Sequence, residues 1–556
     1  MKKALLLFPA FLVGFIPFLS AQTSLNNIAG GQIHGNFEIN AQTYTPDSII
    51  GADTIPEKGL MNAYGNINYT NGNFSAGVRY EAYLNELSGY PTGYKGTGIP
   101  YRYASYNNDK LEVTIGSSYE QFGSGLTLRC YEERALGIDN AIDGMRVRYS
   151  PYKGIYLKGV WGKQRNFMTD GPGIVRGADG EINLNEVFDS CMAKVKTQII
   201  LGGSFVSKYQ ADQDPSLVLP QNVGCWSART NIIRNRVNFY TEYAYKINDP
   251  SLANGFIYKP GNALFSSLTY SKKGLGVYLG LLRVDNFSFR SDRTATLTQL
   301  SINSIPALTK QHTFPLAAYY PFASQPTGQI SWQAEIDKKI KKGTKLGGKY
   351  GTDISINYSA AFGLDTTKLN DDSGRKFGYS SNPFSIGDTL FFQDANIEIF
   401  RKINQRLEFT ILEGHIIYNK NVLEGKSNYP YINADYSVLD VVWKVKDNLS
   451  LHTNAEHLLV GGKKDAKEDH GNWASLMEEV SIGDHFFVAV MDQYNYGNPE
   501  AELRVHYIST QIGYFKGTNR IVLGYGKQRA GIFCVGGVCR QVPASNGFTL
   551  TITSSF

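Results

Sequence analysis

Residues 120–148, EQFGSGLTLRCYEERALGIDNAIDGMRVR, crowd both signs of charge into one short span. Arg129, Glu132, Glu133, Arg134, Asp139, Asp143, Arg146 and Arg148 all fall within it. Opposed acids and arginines at this density do one of two things. Projecting into an opening, they narrow it and set a field that selects what passes. Paired with one another, they hold a loop or wall in shape. The residues alone leave both readings open. Gly123, Gly125, Gly137 and Gly144 predict sharp backbone bends. Their spacing is not that of a phosphate loop or a dinucleotide fingerprint.

Cys534-Val-Gly-Gly-Val-Cys539 sets two thiols symmetrically about a glycine pair. A two-residue hairpin turn brings them opposite each other, where a disulfide closes in an oxidising compartment. Cys130, Cys191 and Cys225 have no sequence partner and read as small apolar fillers. His452 and His457 differ by an odd number of positions, so a strand sends them to opposite faces. Asp465, Glu468, Asp469 and His470 form an acidic stretch that can capture a divalent ion, although a solvated loop is the simpler reading. Zinc spacing, a nucleophile elbow and HExxH are all missing. The sequence therefore predicts no catalytic residue, no cofactor and no metal, and a chain that is not an enzyme.

The elements that position these residues are strands. Lys2 and Lys3 precede an apolar run to Leu19, followed by Ser20-Ala21-Gln22, which predicts a secretory signal over residues 1–21. The run is interrupted by Pro9 and Pro17 and falls short of the roughly 20 residues of a spanning helix. Without the signal the formal charge falls from +6 to +4, and no Lys/Arg cluster marks a nucleic-acid partner. The chain holds 36 Tyr, 30 Phe and 57 Gly in 556 residues, which suits many strands joined by turns. No linker divides residues 22–556, so one continuous sheet fits best.

The chain ends in Phe548-Thr-Leu-Thr-Ile-Thr-Ser-Ser-Phe556, with Phe548, Leu550, Ile552 and Phe556 on one face and hydroxyls on the other. This pattern resembles the terminal β-signal by which outer-membrane proteins meet their assembly machinery. The alternation recurs. Ile330, Trp332, Ala334 and Ile336 oppose Gln329, Ser331, Gln333, Glu335 and Asp337; Val237, Phe239 and Tyr243 oppose Asn238, Glu242 and Lys246; Leu439, Val441 and Trp443 oppose Asp440 and Lys444. One apolar and one hydrophilic face per strand is what a transmembrane barrel needs.

Connection length alternates as well. Short links such as 70–73, 151–154, 271–274, 483–484 and 516–519 separate longer polar stretches such as 44–60, 167–185, 287–327, 363–388 and 532–543. Counting between them predicts an all-β fold: a large antiparallel transmembrane barrel of about 24 strands, with 22 to 26 open, within the known span of about 8 to 26. Its turns would be periplasmic, its long loops extracellular and both termini periplasmic. The 287–327 loop carries the apolar cluster Phe314–Phe322 and is expected to fold inward, partly occluding the lumen, rather than dock a partner outside.

The Ser-Ala-Gln junction, Glu120–Arg148 and Cys534–Phe556 give the chain a resemblance to an uncharacterised family of Bacteroidota outer-membrane barrels. The resemblance implies fold and location in a Gram-negative outer membrane, and no site residues. The partners implied are outer-membrane lipid, the barrel-assembly machinery and, in one reading, other outer-membrane or surface proteins. Two roles remain: a porin-like or substrate-selective channel, and a non-conducting scaffold or subunit of an outer-membrane complex for secretion, assembly or surface attachment.

Overall fold

The computed structural model describes residues 30–556 except 193, 213, 215, 372–374, 462–469 and 536–537. The signal-like segment 1–21 and the residues Asp465, Glu468 and Asp469 lie outside the described residues, while His470 is exposed. Among the described residues no helix is long and apolar enough to cross a membrane. The chain crosses with strands.

A hydrocarbon environment offers no water to satisfy a free strand edge, so a spanning sheet must close on itself. Here 24 strands form one sheet, each antiparallel to its neighbours. The wall runs from Gln32–Thr43 through Gly59–Asn71, Phe74–Leu84, Gly96–Asn107 and Leu111–Ser118, resumes at Ile142–Tyr152, and ends with Asn519–Gln528 and Ser545–Ser555. Closure pairs the first strand with the last, in a register from Asn36 opposite Ser555 to Gln42 opposite Thr549. Phe556 and Gly35 exchange backbone hydrogen bonds of 2.9 Å in both directions. A side chain at residue 35 would collide with the Asn66 carbonyl and with the Phe556 ring, which is why glycine stands there.

Burial is inverted relative to a soluble sheet. On Gly328–Ile340 the polar Gln329 and Ser331 are fully buried, while Ile336 is 45% exposed. On Val237–Lys246, Glu242 and Lys246 are fully buried, while Val237, Phe239 and Tyr243 are exposed. Leu439 and Trp443 likewise face out from Ile432–Lys446. The outward aromatics pair along the wall, as Phe74 with Tyr106 near the turns and Tyr525 with Phe548 farther up. This is the apolar belt of an outer-membrane transmembrane barrel.

Both described ends of the chain lie at the end of the barrel that carries the tight turns. Gly72, Gly274 and Gly517 adopt φ of 57°, 75° and 60° there, left-handed values that suit glycine. Two expected outer loops are corrected. Residues 167–185 are mostly the strand Thr169–Asn183, joined to Ile155–Asn166 by Phe167 and Met168 alone. Their glycines and charges read as loop, yet Val175 and Asp179 face inward and are buried there. The long connection is the next one at the turn end, where Leu184–Val187 and Asp189–Met192 form single helical turns. Residues 363–388 are mostly taken up by the strands Thr352–Lys368 and Tyr379–Lys402, whose pairing continues upward through several register shifts.

Leu279 lies in the middle of Leu275–Asp285 with its side chain outward. Leu279→Arg is expected to destabilise the barrel by about 2–4 kcal/mol, the cost of a cation near the bilayer midplane. A urea titration in lipid vesicles reads this as a lowered midpoint; an unchanged midpoint would place that face outside hydrocarbon.

Candidate functional site

A barrel this wide cannot be filled by wall side chains alone. Two connections enter the lumen. The segment 119–141 leaves Leu111–Ser118 and descends along the inner wall, so that the Ser124 backbone N–H donates to Glu242 at 2.8 Å. Glu242 also accepts from Ser227 and Tyr240, at 2.8 and 2.6 Å. Gly123, with φ of 51°, lies against this carboxylate, and any side chain would collide with it. Phe122, Leu126 and Leu128 pack with inward residues such as Val175, Val206 and Leu282, and with Phe287, Phe289 and Ile302 of the second inward segment.

That second segment, 286–327, is tied to the first by backbone hydrogen bonds from Arg129 to Ile302 and from Ser304 to Gly125. Its later half places Leu316, Tyr320 and Phe322 against Leu412, Tyr418, Tyr436 and Trp473 of the inner wall. Polar anchors flank this apolar contact. Lys310 pairs with Glu335 at 2.6 Å, His312 with Asp394 at 2.9 Å, and the Leu316 N–H donates to Glu456 at 2.7 Å.

The charges of 120–148 separate into groups. Arg79 and Glu81, on Phe74–Leu84, join Arg165 and Asp139 in a buried network. Glu81 receives Arg79 at 2.7 Å and Arg165 at 2.6 and 2.9 Å, and accepts from Tyr83 at 3.0 Å. Asp139 receives Arg165 at 2.6 Å and also Arg79. Glu132 links Arg79 to Arg134, and Arg134 continues to Glu38 at 2.9 Å and lies over the Tyr64 ring. Glu133 caps the short turn Arg134–Leu136. Beside the network Tyr83, Tyr90 and Tyr94 pack together, and burial pushes the Tyr90 and Tyr94 hydroxyls up. Deeper in the lumen, Arg146 and Arg148 share Glu112, and Arg148 and Lys158 hold Glu120 at 2.7 and 3.3 Å. Burial alone would raise the Glu120 carboxyl, but the Arg148 hydrogen bond and Lys158 hold it below the usual range. Arg129 lies over Tyr131 and donates to Ser304 at 3.3 Å.

Asp143 is a correction. On Ile142–Tyr152 it alternates with Ile142 and Arg146, so it faces outward and meets Arg102 at 3.0 Å on the outer surface. The sequence did not reveal where the loop ended and the strand's inside–outside alternation began. Cys191 is a second one: it is exposed on its helical turn, whereas Cys130 and Cys225 are buried. Cys534 and Cys539 form a disulfide, opposite each other in the hairpin Gly531–Val535 and Val538–Val542. His452 and His457 meet different partners, Asp440 and Tyr496, at 2.6 and 2.7 Å. Among the described residues no group of three His, Cys, Asp or Glu side chains is placed to hold a metal.

Sequence reasoning missed Arg79, Glu81 and Arg165. The alternation of Arg79, Glu81 and Tyr83 was the available signal, but Arg165 is 84 positions from Glu81 and only the closed wall brings them together. It also missed Lys208, which meets the buried Asp249 at 2.8 Å.

The inward segments leave part of the lumen open. A cavity of about 920 Å³ lies between residues 309–322, the disulfide hairpin and the wall where the first and last strands meet. That wall presents the small or uncharged Gln42, Gln511, Gly524, Ser545 and Thr549, with Lys527 the charged residue on it.

The chain belongs to a family of unknown function (DUF6029), whose model matches residues 1–556. No curated protein matches the sequence. Among solved structures it is similar to the siderophore receptor PirA from Pseudomonas aeruginosa, with 9% identity over 94% of this chain and 80% of that chain and a TM-score of 0.39. It is similar to a chain of the E. coli P pilus tip assembly intermediate PapC-PapD-PapK-PapG, with 8% identity over 96% of this chain and 62% of that one and a TM-score of 0.47. The copper transporter OprC matches with 9% identity over 95% and 81%, and a TM-score of 0.39. These likenesses concern fold alone.

Asp139→Asn is expected to loosen the 119–141 segment, since breaking a buried pair costs about 3–5 kcal/mol, whereas Asp143→Asn changes stability by less than about 1 kcal/mol. Trypsin cleavage at Arg129 or Arg134 in the first variant and not in the second checks this. The pH dependence has a defined sign. Because the folded Glu120 value lies below the unfolded one of about 4.3, its ion pairs stabilise the docked loop above that pH and are lost as pH falls through the lowered value. Protease resistance should therefore persist at pH 5 and fail in stronger acid, and Glu120→Gln should remove that acid step.

Proposed function

For this member of a barrel family of unknown function, we propose a substrate-selective passage across the outer membrane of a Gram-negative cell. It is a conduit without catalytic chemistry, running along the wall where the two terminal strands meet. The observation that carries this reading is the cavity of about 920 Å³ beside a wall that the inward segments leave uncovered. Gln511 faces inward and is nevertheless exposed, as a residue on a wet wall should be. In this reading the tight turns and both chain ends face the periplasm, and the long connections face outward, the usual arrangement of bacterial barrels. The strand ending in Phe556 is what the assembly machinery would engage.

The eight charges divide accordingly. Asp139, Arg146 and Arg148 hold the inward segment to the wall, Arg129 ties it to the second inward segment, Glu133 caps its turn and Asp143 stays outside. The Glu132–Arg134 edge, next to Glu38 and to the cavity-lining Ala135, would form a charged margin of the passage. The scaffold reading has its own support: both inward segments are fixed by apolar cores and ion pairs, as a permanent seal would be.

Planar-bilayer recording of the purified protein distinguishes the two. Stable ion currents are expected, rising severalfold when 297–322 is replaced by a short Gly-Ser linker. Silence in both proteins, together with stoichiometric co-purification of partner proteins from native membranes, would favour the scaffold. Arg134→Glu is expected to shift the reversal potential toward cation selectivity; an unchanged potential would remove Arg134 from the margin of the passage.

A further inference from the structure

The cavity has a chemical bias that is separate from its role as a route. Lys310, Lys527, Arg529 and Arg540 line it together with His312, and no carboxylate does so among the described residues. Three of these five are already matched. Lys310 pairs with Glu335 at 2.6 Å, Lys527 with Asp47 at 2.7 Å and His312 with Asp394 at 2.9 Å.

Arg529 and Arg540 are different. Among the described residues neither has a carboxylate within ion-pair distance. Arg529, just past Asn519–Gln528, lies over the Tyr319 ring at 4.2 Å and donates to the Pro315 carbonyl at 3.3 Å. The acid that it faces across the packing is Glu456, beyond ion-pair distance, one oxygen of which accepts from Leu316 while the other is buried with no hydrogen-bond donor among the described residues. Arg540 stands on the return arm of the disulfide hairpin, over Tyr90 at 5.5 Å. Its Nε and one terminal nitrogen are buried with no hydrogen-bond acceptor among the described residues. Burial also pushes this guanidinium below its ordinary value, as expected for a cation lacking a counter-charge.

A guanidinium beside a cavity with no acid partner is costly to bury unless an anion completes it, and for Arg540 the cost is greater because two of its buried nitrogens have no acceptor among the described residues. Stacking on Tyr319 and Tyr90 places both arginines without neutralising them, and the acceptors that Arg529 meets, the Pro315 and Ala530 carbonyls at 3.3 and 3.4 Å, carry no charge. Apolar lining is supplied by Tyr320 and Phe322 of the inward segment, Phe392 and Ile416 of the wall and Ile532 of the hairpin. The volume falls within the range of small-molecule sites, about 300–1,000 Å³.

We propose that this cavity binds a small organic anion, its carboxylate or phosphate held between Arg529 and Arg540 and its apolar body against the Tyr320–Phe322 side. The site rests on the passage only for the way a ligand arrives. It gives the passage a substrate class: anionic, with an apolar portion.

Titration calorimetry on the detergent-purified protein at low salt tests it, with phthalate, phenyl phosphate, inorganic phosphate and uncharged benzamide as probes. Phthalate or phenyl phosphate should bind, whichever is tighter identifying the head group. Inorganic phosphate should bind more weakly than phenyl phosphate, and benzamide not at all. R529Q/R540Q should weaken the better probe at least tenfold while keeping the heat-shifted gel mobility of a folded barrel, and R529K/R540K should retain part of the affinity. Equal binding by the glutamine variant, equal binding of benzamide, or no binding of either organic anion would overturn the site. Anion binding by a barrel that carries no current would leave the site standing and remove the passage; currents without anion binding would do the reverse.

Discussion

The pairing of Gln32–Thr43 with Ser545–Ser555 is the contact on which everything else depends. In hydrocarbon an unpaired backbone N–H or C=O has no alternative partner, so leaving either strand free would expose a whole edge to lipid. Closure is thus obligatory, and it is made by the two segments farthest apart in the chain. With 24 strands in the ring, the enclosed space exceeds what wall side chains can fill, and something else must occupy it.

What occupies it explains the unusual polarity of the interior. A soluble protein puts its apolar residues inside, but here lipid takes most of them and the inward faces are left hydrophilic. The 119–141 and 286–327 segments must therefore dock on a wall rich in charge. They do so partly by bringing apolar residues of their own, with Phe122, Leu128, Leu316 and Phe322 meeting the few apolar inward positions. The rest of the contact is ionic. Glu81 and Asp139 share Arg79 and Arg165 so that each buried charge meets opposite charge, which is the condition under which burying ions is tolerable.

The docking is lopsided. Together the segments lean mainly on the strands from Phe74–Leu84 around to Trp473–Ile482, and beyond the contacts of Arg134 with Glu38 and Tyr64 the wall about the closing pair is left largely open beside the cavity. Small and uncharged residues such as Gly524 and Thr549 offer little apolar purchase and no charge to pair with, so the inward segments stand off from them. The disulfide hairpin covers the outer part of this space and brings Arg540 to it. An asymmetric plug of this kind creates a defined cavity where a uniformly lined barrel would have an open bore.

Much of this is legible in the sequence. Period-two alternation is a local property, so Gln329 through Asp337 disclosed which residues face lipid, and the rhythm of short and long connections disclosed the strand number. The symmetric Cys534–Cys539 spacing disclosed the disulfide for the same local reason. Alternation failed where composition disguised it, as in the glycine-rich strand Thr169–Asn183. Partnership inside the lumen was a different matter. Nothing near Asp139 or Asp143 distinguishes them, yet one is buried between two arginines and the other lies outside the wall. The sequence by itself determined a closed, lipid-facing barrel, because strand faces and turns are set by neighbours along the chain. The tertiary structure alone decided which charges pair and which space remains open, because a closed sheet brings together residues as distant as Glu81 and Arg165.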